Sequence, residues 1–181
     1  MEPKVLPIAV IIMLFAIPYC ATQSFIVRYT ETRGLPVTVS LFFPVYAAAL
    51  LLLRLCMRNL FDSVRFPVFL AGSCGCAFLA ILLLALMQSD FAMLAAAVLM
   101  AGGYGIMSSV CQSRAIVTAG REHAGLGNTT YYIGLDLGMT LGPVLGGVLY
   151  GSLDIRLFYP VLLLTVPAVI AVYALNRRVL K

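Results

Sequence analysis

A single ionisable side chain, Asp136, interrupts the otherwise uncharged run Ala124–Leu153. It lies about half-way along that run. An ionised carboxylate at such a depth in a bilayer costs at least about 2.5 kcal/mol on insertion scales. The group must therefore be protonated, paired or hydrated, with tyrosine or glutamine side chains, or an arginine outside the chain, as its possible partners. Two roles are open: coupling to a proton or substrate, and a buried structural hydrogen-bond site. At about 100° per residue, Asp136 shares a helix face with Thr129, Tyr132 and Thr140 and points away from Gly134. Asn128 lies at the start of the same polar run. Elsewhere, Tyr104, Ser108, Cys111 and Gln112 fall together at helical spacing, and Tyr19 and Gln23 follow Pro18 in the same way. These groups offer hydrogen bonds without fixed charge. They suit the lining of a substrate or proton pathway, and they equally suit bonding between helices.

Gly134, Gly138, Gly142 and Gly146 recur every four residues. That spacing makes a nearly side-chain-free ridge on which a neighbouring helix can approach closely. Pro143 and Gly147 add a point where the helix can bend. The ridge fits static close packing, and it fits a sliding or bending seam used in transport. The Ala-Gly-Gly-Tyr-Gly run at 101–105 is not a phosphate loop, because it sits inside an apolar stretch and lacks the Lys-Ser/Thr ending. Neither paired carboxylates, a Ser-His or Cys-His arrangement nor a metal-ligand cluster is evident, so no enzyme, cofactor or metal role is expected. Cys20, Cys74, Cys76 and Cys111 lie within apolar stretches and Cys56 at the end of one, as small hydrophobes in packed helices do. The one histidine, His123, sits in a loop beside Arg121 and Glu122.

These groups are carried by elements that the charge distribution delimits. Of 181 residues, 62% are hydrophobic and 10% charged, against roughly 25% charged in a soluble domain. Uncharged stretches run Val5–Val27, Gly34–Leu53, Phe66–Ser89, Phe91–Ser113 and Leu157–Asn176, with Ala124–Leu153 as the sixth. Each reaches the roughly 20 residues that a helix needs to cross the hydrocarbon core, and none alternates as a barrel strand would. The expected fold is all-α and integral to the membrane: one domain over 1–181, with transmembrane helices at about 5–27, 35–53, 67–87, 91–113, 124–150 and 157–175. No small-residue cleavage site follows the first stretch, so it is expected to remain as a span.

The net charge of +5 marks topology rather than nucleic-acid binding. Lys4, Arg54, Arg58, Arg65, Arg114, Arg121, Arg177, Arg178 and Lys181 fall on one side of the six spans, and only Arg28, Arg33 and Arg156 on the other. By the positive-inside rule both termini are expected in the cytoplasm, with the chain in the cell membrane. Short loops make consecutive helices antiparallel neighbours. The first, fourth and fifth spans carry the polar groups and are expected to line something polar. The third and sixth are expected outside, and the second is mostly apolar apart from Pro44 and Tyr46. Two inner helices and one outer, repeated, suggest a 3+3 inverted repeat of the kind found in secondary transporters.

Residues 131–147, Tyr-Tyr-Ile-Gly-Leu-Asp-Leu-Gly-Met-Thr-Leu-Gly-Pro-Val-Leu-Gly-Gly, are similar to the eleventh helix of the major facilitator superfamily, with its Asp-x-Gly and Gly-Pro-x-x-Gly-Gly elements. The loop from Arg54 to Arg65 resembles that family's link between helices eight and nine: Arg54, Leu60 and Asp62 match, while Arg58 and Arg65 stand where the family usually has glycine. The whole chain resembles the C-terminal half of such a transporter, its seventh to twelfth helices, and Glu2-Pro3-Lys4 looks like the link into a seventh helix. The resemblance implies a major facilitator half-bundle working by alternating access, closest in general look to bacterial proton-driven exporters of drugs or metabolites. Its partners would be the lipid bilayer, a small-molecule substrate, protons, and either an N-terminal half or a second copy of itself. The alternative is a non-transporting six-helix subunit or a truncated fragment with an assembly role.

Overall fold

A computed structural model describes residues 1–57 and 64–180, without the side chains of Arg178 and Val179. Arg58, Leu60 and Asp62 of the loop motif, and Lys181, lie outside the described residues. Six helices are long and apolar enough to cross a bilayer: Pro3–Thr32, Val39–Cys56, Phe66–Leu86, Asp90–Ala119, Arg121–Ser152 and Ile155–Leu175. Among the described residues there is no strand. Lipid offers the backbone no hydrogen bonds, and a helix satisfies its own.

Several helices outrun the charge-free windows. The first continues past Arg28 and Glu31 to Thr32, and the fourth passes Arg114 to reach Ala119. A charge marks where the chain leaves hydrocarbon, not where its hydrogen-bond ladder must stop. The first helix also runs unbroken through Pro18, where the Thr22 hydroxyl donates to the Pro18 carbonyl at 2.7 Å. The fifth runs unbroken through Pro143. The fourth differs. Its α-helix Asp90–Met100 passes through a π-turn, Ala101–Gly105, before resuming as Ile106–Ala119. The glycines there admit two neighbours. A Cβ on Gly103 would lie 3.1 Å from the backbone nitrogen of Ala77, and one on Gly105 only 2.6 Å from Leu50. The π-turn is thus where the second, third and fourth spans meet.

Packing does not follow chain order. The largest interface joins the first span to the fifth. The first also packs on the fourth and sixth, the fourth on the second, third and fifth, and the third on the sixth. The second and third, although consecutive, make no substantial contact among the described residues. The expectation that every helix lies beside its chain neighbour therefore fails: an unstrained loop permits adjacency, but packing surfaces decide it. The inner–outer order also changes. The first span, expected at a polar surface, is the most enclosed of the six. The second is the most exposed.

At the end away from the termini, an aromatic cluster ties three spans. Tyr29 meets Tyr159 edge-on at 4.7 Å, and Phe25 lies against Phe158 and Tyr150. The Arg33 guanidinium donates to the Tyr29 hydroxyl at 2.6 Å and to the Ala85 carbonyl at 3.1 Å, clamping the first span to the end of the third.

Candidate functional site

The fifth span presents two faces of opposite character. Its glycine ridge is buried against the backbone of the first span. A Cβ on Gly134 would collide with the Ala9 carbonyl, one on Gly138 would lie 2.6 Å from the Met13 carbonyl oxygen, and one on Gly142 would lie 2.8 Å from that of Ile17. A Cβ on Gly146 would lie 2.8 Å from the Phe25 ring. Three successive turns of one helix thus sit on a carbonyl-bearing strip of the other, and the fourth sits on an aromatic ring. Pro143 is partly buried, and Gly147 lies off the ridge, at ordinary contact distance from Phe25.

The opposite face is uncovered. Thr129, Tyr132, Asp136 and Thr140 are all exposed. The Thr140 hydroxyl bonds back to the Asp136 carbonyl at 2.8 Å. The Asp136 carboxylate itself has no hydrogen bond or ion pair among the described residues. The tyrosine and glutamine partners expected for it are engaged with one another instead. The Gln112 side-chain amide donates to the Tyr132 hydroxyl at 3.1 Å and to the Asn128 side-chain oxygen at 3.3 Å, linking the fourth span to the fifth. Tyr131, buried beside them, donates to the Ser108 carbonyl at 3.0 Å, while the Ser108 hydroxyl bonds back to Gly105 in its own helix. From Asn128 to Asp136 these polar groups climb eight residues, about 12 Å along the helix axis. They lead from the end that carries the termini to the mid-depth of the span.

At that depth lies a second group. Tyr19 stacks on Tyr104 with ring centroids 4.3 Å apart and planes 16° apart, and it lies 5.1 Å from Tyr46. The first, second and fourth spans each contribute one ring, each from near its own middle. Tyr46 is the member that sequence reasoning left out of the site. Its signal was present, since it is, with Pro44, one of the two exceptions in the otherwise apolar second span. Tyr104 reaches the stack from within the π-turn, which no periodicity of 3.6 residues anticipates. Gln23 is exposed and joins neither group, and Arg54 is exposed at the end of the second span.

Length and composition of the six helices make the chain a multi-pass helical membrane protein. Compared with protein-family models, with curated proteins and with solved structures, the chain matches none.

Proposed function

We propose that this chain is one six-helix half of a secondary active transporter of the major facilitator type, exporting a small molecule in exchange for protons. The observation that carries the reading is Asp136: a carboxylate at mid-span without a partner among the described residues, on an exposed face, at the top of a polar ladder. Lipid does not tolerate such a face, so water, a substrate or a second transmembrane body must stand against it. Protons and a polar substrate would travel along Asn128, Gln112 and Tyr132 towards Asp136, with Tyr19, Tyr104, Ser108 and Gln23 on the adjoining walls. The covering body would be an N-terminal half or a second copy of the chain.

The packing order supports the 3+3 repeat. Exchanging spans one and four, two and five, and three and six turns the one–five interface into four–two and the three–four interface into six–one, and all four are present. The one–four and three–six contacts map onto themselves, whereas the four–five interface maps onto one–two, which is slight, so the symmetry is partial. A pattern of this kind suits alternating access, in which repeats rock about a central site.

The test is accessibility. In a Cys56→Ser background, a Thr140→Cys variant is treated in membranes with a maleimide that cannot cross lipid. Labelling is expected, because a hydrated pathway must reach this face. Absence of labelling in the presence of a labelled loop control would place the face in lipid and sink the reading. In proteoliposomes carrying the chain with its covering half, Asp136→Asn is expected to abolish substrate-coupled proton movement. Unchanged flux would remove the coupling role.

A further inference from the structure

Between the entry to the third span and the last turns of the fourth lies a cavity of about 320 Å³, within the size range of small-ligand sites. Arg65, which immediately precedes the third helix, and Phe69 line it from one side. Ser109, Ser113, Arg114 and Val117 line it from the other. Positions 109, 113 and 117 recur every four residues, so one face of the fourth span forms this wall for about 12 Å. The outer part is open, since Arg65 and Ser113 are exposed. The lining holds two guanidinium groups, two hydroxyls and no carboxylate.

The two hydroxyls are not spent on their own helix. Ser108, one residue away, donates back to the Gly105 carbonyl at 3.0 Å, and Thr129 does the same to Gly125 at 2.9 Å. The side chains of Ser109, Ser113 and Arg65 have no hydrogen-bond or ion partner among the described residues. Arg114 has an interaction elsewhere, and a guanidinium carries five N–H donors, enough to serve a ligand as well. Four groups able to donate therefore face one space. Two positive charges on the walls of one cavity repel each other, and an anion between them relieves that repulsion and accepts charge-assisted hydrogen bonds. Phosphate is the anion that the forked guanidinium matches best after carboxylate. The apolar walls, Phe69 and Val117, suit a phosphate that carries an organic group. Basic pockets between transmembrane helices take anionic headgroups on the same physical grounds.

We propose that this cavity is a binding site for an anionic phosphate ester, its oxygens held by Arg65, Arg114, Ser109 and Ser113. The ester is either the headgroup of a membrane lipid or a soluble molecule, and the two sources share the same chemistry. The site lies apart from Asp136 and stands or falls separately from transport. Arg65 at a membrane surface favours the anion by about fivefold, and one hydroxyl hydrogen bond adds a similar factor of about five.

The full chain, purified in mild detergent, is titrated in two arms. In one, dioleoyl phosphatidylglycerol and dioleoyl phosphatidylcholine are compared by native mass spectrometry. In the other, phenyl phosphate is titrated by calorimetry. A one-to-one preference for the anionic lipid identifies a headgroup site, and saturable one-to-one binding of phenyl phosphate identifies a site open to soluble esters. Either result supports the proposal. Arg65→Gln and Ser113→Ala, both at exposed positions, should each weaken the observed binding about fivefold. Arg121→Gln removes an equal charge at the same end of the bundle but outside the cavity, and it should leave binding unchanged. The serine variant is the decisive one, because it alters no charge. Binding that is insensitive to Ser113→Ala, or that falls as much with Arg121→Gln as with Arg65→Gln, is general surface attraction and overturns the proposal. Binding of neither probe by the wild-type chain also overturns it, whether or not any variant folds.

Discussion

Replacing Gly138 by alanine adds one methyl group at the tightest kind of position in this molecule. Its Cβ would lie 2.6 Å from the Met13 carbonyl oxygen and 2.7 Å from the Ala16 Cβ. Neither neighbour is the end of a flexible side chain. Heavy atoms rest at about 3.5–4.0 Å, so the first and fifth spans must part by roughly 1 Å along the ridge. A gap of that size forfeits about a quarter to a half of each contact it opens, over the largest interface in the bundle. Overpacking of this kind costs about 1–3 kcal/mol. Alanine also returns up to about 1 kcal/mol through helix propensity, which is why the comparison needs a reference on the same helix. Gly147→Ala supplies it, because a Cβ there would meet only Phe25, at 3.7 Å. The two variants share the propensity gain and differ in the clash, so Gly138→Ala should be less stable than Gly147→Ala by about 1–3 kcal/mol. Equilibrium unfolding in mixed micelles, followed by circular dichroism, measures the difference. Equal stability would mean that the ridge is not seated on the first span, and the account of the bundle's central interface would be wrong.

Other residues give independent checks. Gln112→Ala removes both donors of the inter-span network and should cost about 1 kcal/mol, at about 0.6 kcal/mol per membrane hydrogen bond. Combined with Tyr132→Phe it should be less than additive, since the two share one bond, and the same unfolding assay reads both. Arg33→Gln loses the short bond to Tyr29 and the one to Ala85. It should destabilise the chain by about 1.5–3 kcal/mol, visible as a lower thermal midpoint in detergent. Tyr104→Leu keeps an apolar side chain, though a smaller one, and loses the 4.3 Å stack on Tyr19, and a loss of at least about 0.5–1.5 kcal/mol is expected. No loss would show that the ring pair is not a packing element.

Much of this protein is written locally. Six spans, their approximate limits and the isolation of Asp136 follow from hydropathy and charge, because each residue's preference for oil or water is its own property. The four-residue glycine period likewise announces a helix face prepared for close approach, and the structure seats that face. The choice of partner is a different matter. That the ridge lies on Ala9, Met13 and Ile17 of the first span, that Tyr46 crosses from the apolar second span to meet Tyr19, itself stacked on Tyr104, and that Gln112 takes Tyr132 and Asn128 while Asp136 is left without a partner among the described residues all depend on surfaces far apart in the chain. Hydropathy selects the solvent of each segment. Shape and hydrogen-bond complementarity select its neighbour, and these exist only once the helices are side by side.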